Sequence, residues 1–409
     1  MTVVSESVPW VRSASLGMWV RTGSRDEGDD VLGISHFLEH MLFKGTRRRS
    51  ALEIAQSLES VGGHLDAFTG REQTCYYGRF LDEHWPQAVD VLADLVSSPL
   101  LEADQIEKEK GVVIDEISSY EDEPDELVHD LFADLIWNGH ALGRSILGTR
   151  ETVRRFDRGA LTGYFDRRYT SRNLVVALAG SFDRDAFLDL VQRQLVVPAG
   201  GEAIDGPPLP PFVPGVLNRP REFSQLYLCL GARSIPYDDD DRFALQVLSM
   251  ILGGGMSSRL FQVVREQEGL AYSVYSYADF YRDTGLFCIS LDVAPERGRR
   301  ALKVVLSEVA DLQRNGLRAG ELESAKAQLK GSLLLGLESL SSRMSRIARN
   351  EIYFGRHIPV RELVRQVERV REEQVVEIAR RSLAEGAISL VALGPLPEGA
   401  YTEQDLAMP

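Results

Sequence analysis

Basic residues are in short supply in this chain. Lys and Arg number 46 against 61 Asp and Glu, a formal net charge of −15. A chain this acidic has no broad cationic surface to offer, so nucleic acid and anionic membrane surfaces are not expected partners. Cysteine is scarce as well. Cys75, Cys229 and Cys288 form neither a CxxC pair nor an even set, which fits ordinary thiols in a reducing compartment. No uninterrupted apolar run reaches the about 18 residues that a bilayer span needs. The opening segment MTVVSESVPWVRSASLGMWV lacks a basic stretch followed by an apolar one, so no signal peptide is expected. These absences together point to the cytoplasm. The glycine-rich run Gly253–Ser258 completes neither a P-loop nor a dinucleotide fingerprint.

What is present is a globular balance. Apolar residues make up 44% and charged residues 26% of 409, enough for two domains of about 200 residues, each with its own core. Pro198, Pro207, Pro208, Pro210, Pro211, Pro214 and Pro220 crowd one stretch. Prolines fix φ and remove donors, so this stretch is expected to be an extended linker. The expected division is therefore 1–197, a linker at 198–220, and 221–409.

The halves resemble each other. The apolar run Asn173–Gly180 has a counterpart in Ala387–Gly394, and each half carries a helical stretch, a glycine turn and strand-like alternation, then two amphipathic helices. Two copies of one unit explain this pattern. The expected fold is α+β: two similar domains, each a mainly antiparallel mixed sheet with helices packed on one face.

The segment His36-Phe37-Leu38-Glu39-His40 carries the chemistry. On a helix, His36 and His40 at i and i+4 project from one face. That spacing suits two zinc ligands, with Glu39 near the same face and able to approach a metal-bound water, the H-x-x-E-H order. A hydrolytic zinc site needs a third protein ligand. Glu109 and Glu116 lie seven residues apart on a second helical stretch and share a face; spacing alone leaves both open.

HFLEHMLFKGT, GGHLDAFTGREQTCYY, EKEKGVVIDEI and LGRSILGT, followed by GGGMSSRLF and REQEGLAYS, resemble the pitrilysin family of zinc metallopeptidases on its processing-peptidase branch. The resemblance spans essentially the whole chain. It implies a zinc endopeptidase acting on short or unfolded peptides, with one Zn²⁺ per chain held by His36, His40 and Glu116. Glu39 is then the general base, and Glu109 a carboxylate supporting a ligand. It also implies that Arg265 and Tyr272 assist the substrate carbonyl from a facing half of the enzyme. In a chain of this length that half comes from another subunit, so a homodimer with shared sites is expected. By the same resemblance the peptide adds as a strand to the segment containing Asp66, Ala67 and Phe68, and Phe43 lines a pocket beyond the scissile bond. Asp66 stands where the family has asparagine, and the first strand starts late. Glu126 and Asp130 match acidic residues that hold an arginine near the cut, which implies preference for a basic residue there. They lie in a stretch, 111–142, with no Lys or Arg. His64, His84, His129, His140 and His357 lack partner spacing and are assigned no role.

Overall fold

The computed structural model describes residues 1–201 and 208–409; part of the expected linker, 202–207, lies outside them. The described chain divides into two compact units. The first comprises 1–119, 144–208 and 335–358, and the second 120–143, 209–334 and 359–409. Two segments therefore cross the division that the proline stretch suggests. Each unit takes one helix from the other half of the sequence.

The first unit holds strands β1 (Thr2–Ser7), β2 (Ser13–Val20), β3 (His64–Thr69), β4 (Thr74–Leu81) and β5 (Leu174–Gly180) in the order β1-β5-β2-β4-β3. Only β1 and β5 run parallel; every other pair is antiparallel. The second unit repeats this with β6 (Val216–Pro220), β7 (Leu226–Ser234), β8 (Ala271–Phe280), β9 (Gly285–Val293) and β10 (Ser389–Gly394) in the order β6-β10-β7-β9-β8. Again the first pair alone is parallel. The duplication read from the sequence is thus a duplication of topology. The matched apolar runs are β5 and β10, buried at every position. A strand covered on both faces needs a continuous apolar run rather than alternation.

The sequence reading places helices on one face of each sheet; both sheets carry them on both, the second lying between the helices Pro124–Trp137 and Arg242–Gly253. Leu16, Met18, Val20, Tyr76, Val176 and Leu178 point into the main core with Phe37, Leu38 and Met41. The alternate residues Trp19, Cys75, Val175 and Ala177 point the other way, onto Met344, Ile347 and Ala348 of the helix Leu340–Phe354. Period-two alternation sorts a strand's side chains between its two faces. The Trp19 indole N–H donates to Met344 Sδ at 3.2 Å, and Glu6 of β1 pairs with Arg343 and Arg346. The end of the expected linker is likewise not a linker. Residues 216–220 form the edge strand β6, and Leu209 and Phe212 pack on the second unit's core. Pro220 is tolerated because it ends an edge strand.

Candidate active site

The histidines and Glu39 lie on the helix Ile34–Leu42, whose Ile34, Phe37, Leu38, Met41 and Leu42 are buried in the core. Its start is shaped by backbone. Gly33 has φ +87°, and a Cβ there would lie 2.5 Å from Leu147 O. The left-handed conformation and the close approach both require glycine. Gly33 has no side chain to cap the helix, and Glu27 does so instead. Glu27 Oε2 accepts from Gly33 N–H at 2.7 Å and Oε1 from Ser35 N–H at 2.8 Å. Burial pushes the Glu27 carboxyl up to about 8 even though those two N–H groups favour its anion. The motif LGRSILGT closes against this helix start: Gly148 has no room for a Cβ beside Leu32 O, and three residues beyond the motif Thr152 Oγ1–H donates to Leu32 O at 2.7 Å.

The helix Ala103–Glu121 brings both candidate glutamates to the histidines, and they take different positions. Glu116 Oε1 lies 3.5 Å from His36 Nε2, and its Oε2 lies 3.7 Å from His40 Nε2. One nitrogen from each histidine and one Glu116 oxygen all fall within 4.8 Å of one another. Two imidazole nitrogens and a carboxylate with an open side are the donor set of a hydrolytic zinc site. Glu109 is turned away from that centre. Its Oε1 meets His40 Nδ1 at 2.8 Å and its Oε2 meets Lys44 Nζ at 2.7 Å. Burial works against the Glu109 carboxylate, but the hydrogen bonds from His40 and Lys44 outweigh it and hold it below its usual range. A carboxylate on Nδ1 fixes the ring and leaves Nε2 to bind metal. The hydrogen bond from His36 holds the Glu116 carboxyl low as well. His36 Nδ1 is buried and has no such partner.

Glu39 lies beside the centre. Thr69 Oγ1–H donates to Glu39 Oε2 at 2.5 Å. Burial raises the Glu39 carboxyl above its usual value, against the lowering effect of Thr69 and the two histidines. Thr69 ends β3, which is the edge strand of its sheet, so an edge strand runs up to the proposed base. Leu65 and Ala67 face the main core. Asp66 and Phe68 face the other side of the sheet: Asp66 accepts from Tyr77 Oη–H at 3.1 Å, and Phe68 packs edge-on to Trp19 at 5.4 Å. Their side chains therefore point away from the histidine helix. Phe43, the residue after that helix, is half-buried and lies 6.2 Å from the ring of Tyr76.

The remaining sequence candidates are in the second unit. Glu126 and Asp130 lie on the helix Pro124–Trp137. Arg265 lies in the π-helical segment Phe261–Gln267 and Tyr272 on β8. The structure brings these two together, with the Arg265 guanidinium 5.5 Å from the centre of the Tyr272 ring. Tyr272 is 73% exposed. Reasoning from sequence missed Glu27, Lys44 and the part played by Thr69. None sits at a ligand spacing; only Lys44, one turn past His40, carries a helical signal.

Two family models match the chain: Insulinase (Peptidase family M16) over residues 2–150 and Peptidase M16 inactive domain over residues 155–329. An uncharacterized zinc protease of Bacillus subtilis (strain 168) is 42% identical over 392 residues, covering 95% of each chain. One of Mycobacterium tuberculosis (strain H37Rv) is 41% identical over 406 residues, covering 97% of this chain and 91% of its own. The crystal structure of a peptidase M16 inactive domain from Pseudomonas fluorescens superposes with TM-score 0.90 at 23% identity, over 97% of this chain and 96% of that one. A protease from Helicobacter pylori does so with TM-score 0.88 at 20% identity, over 95% and 96%.

Proposed function

This chain belongs to the M16 peptidase family, and we propose that it is a zinc-dependent endopeptidase of short or unfolded peptides. The observation that carries this reading is the convergence of His36 Nε2, His40 Nε2 and the Glu116 carboxylate, with Glu39 beside them. These three residues would hold the ion, and Glu109 keeps His40 turned so that Nε2 faces it. Bound there, zinc supplies Lewis-acid activation of water at neutral pH. Glu39, held at one oxygen by Thr69, takes a proton from the attacking water with the other. As the carbon–oxygen bond forms and the carbon–nitrogen bond breaks, that proton passes to the leaving amine.

The peptide adds to the edge of β3 through backbone pairing, which tolerates varied sequences. The outward-facing side chains of Asp66 and Phe68 then serve the strand's own geometry, and Ala67 and Phe43 lie on the side of the chemistry. Glu126 and Asp130 favour a basic residue near the cut. Arg265 and Tyr272, supplied by the partner copy of a homodimer, support the substrate carbonyl. The test is cleavage of a varied peptide library read by mass spectrometry. The zinc-loaded chain is expected to cut, and Glu39→Gln to lose about 10²–10⁴-fold in rate with its metal content unchanged. Wild-type rates in Glu39→Gln contradict the assignment. A zinc-loaded chain that cuts nothing favours a scaffold role.

A further inference from the structure

The second unit holds a cluster that hydrolysis does not use. His129 from the helix Pro124–Trp137, Cys229 from β7 and Cys288 from β9 offer one nitrogen and two sulfurs, all within 4.8 Å of one another. In the sheet register Cys229 pairs with Ser290 and Gly231 with Cys288, so the thiols are diagonal neighbours on one face. Both cysteines are fully buried, and they pack with Val128, Phe132, Val391 and Leu393. His129 Nδ1 lies 3.5 Å from Cys229 Sγ and 2.8 Å from Tyr277 Oη, while Nε2 lies 2.8 Å from Tyr275 Oη. The sequence gives no hint of this group, because its members stand 100 and 59 residues apart in a chain folded twice between them.

We propose that His129, Cys229 and Cys288 form a second metal site, structural rather than hydrolytic, for a thiophilic ion such as zinc. Four features of the group point to this. Thiolate and imidazole donors select zinc-like ions over hard cations. Two thiolates cancel the charge of a divalent ion, so the complex enters an apolar core without a net charge to bury. At the hydrolytic site, Glu116 alone leaves the ion positive. The Nε2 contact with Tyr275 fixes the ring so that Nδ1 faces the sulfurs, the outer support that metal-binding histidines use. A direct disulfide is disfavoured: diagonal strand neighbours have Cα atoms about 7–8 Å apart, beyond the reach of about 7 Å that a disulfide allows. An ion with bonds of about 2.3 Å to each sulfur bridges that separation. Ser290 Oγ, 3.5 Å from Cys229 Sγ, and Tyr277 Oη, 2.8 Å from His129 Nδ1, are oxygens available for a fourth position. Such an ion would clamp the helix Pro124–Trp137 to the sheet it covers.

Cobalt(II) titration of the full chain tests this independently of peptide cleavage. Thiolate–cobalt charge transfer absorbs in the near ultraviolet, whereas a site of two histidines and a glutamate has no sulfur and adds nothing there. The wild-type chain is expected to bind two ions and show the band. Cys229→Ser and Cys288→Ser should lose the band and one ion. Cys75→Ser, and the double variant His36→Gln/His40→Gln, should keep the band. No near-ultraviolet band in the folded wild-type chain overturns the proposal, whatever the variants do. So does a band that persists in both cysteine variants.

Discussion

His40 and Glu27 show how single side chains are held at the histidine helix. His40 is turned by Glu109, which is itself held by Lys44; Glu27 ties down the first turn of the histidine helix through two backbone N–H groups. The first arrangement was half legible in sequence. The i, i+4 histidines follow from the helical period, but Glu109 and Glu116 share a face, and only the fold decides which one meets Nε2. The second was illegible, because a carboxylate that caps a helix seven residues downstream leaves no spacing rule behind. Glu27 makes a pH prediction. Its folded-state pKa of about 8 exceeds its ordinary 4.5, so the folded chain holds this proton more tightly than the unfolded chain does. The stabilisation is complete below about 4.5 and is lost as pH rises through about 8. Glu27→Gln should lower the melting temperature most at acid pH, with the gap closing toward alkaline pH. Melting curves shifted by the same amount at every pH contradict this.

At the scale of elements, the strands were readable where one pattern dominated. β5 and β10 stood out as unbroken apolar runs, and the edge position of β3 agrees with its alternation. Nothing in the sequence analysis singled out the helix Leu340–Phe354 or its pairing with β2 and β5, some 160 residues away or more. Its buried stripe says that it covers something, and long-range pairing is what a single sequence hides. The same blindness turned β6 into a linker: prolines exclude a central strand but allow an edge. Ile347 is 3% exposed against Trp19 and Val175. Ile347→Ala is expected to cost about 2–5 kcal/mol, measured by chemical denaturation. A loss within the scatter of surface substitutions would mean that this helix is dispensable to the first sheet.

The whole molecule is one topology written twice, with the histidine–glutamate set in the first copy only. In the second copy the helix Arg242–Gly253 occupies the corresponding place between β7 and β8, and Arg242, Leu245 and Gln246 stand where His36, Glu39 and His40 align. The second copy carries instead the adjacent Arg265 and Tyr272, the pair proposed to support the substrate carbonyl. If active sites are shared between copies, inactive subunits should complement. Mixing Glu39→Gln with Arg265→Ala is expected to restore about a quarter of wild-type activity, since random pairing makes half the dimers mixed and each mixed dimer has one intact site of two. No recovery at any ratio rules out sharing between identical subunits.

The fold, the family and the placement of the ligands all bear on one claim, that His36, His40 and Glu116 hold a zinc ion on which peptide cleavage depends. The direct measurement is the cleavage-site profile of the wild-type chain before chelation, after chelation, and after zinc is returned. Cleavage should vanish with the metal and return with the same sites when zinc is restored, while Glu116→Gln stays inactive throughout. Cleavage that continues at the same sites in metal-stripped protein would contradict the account.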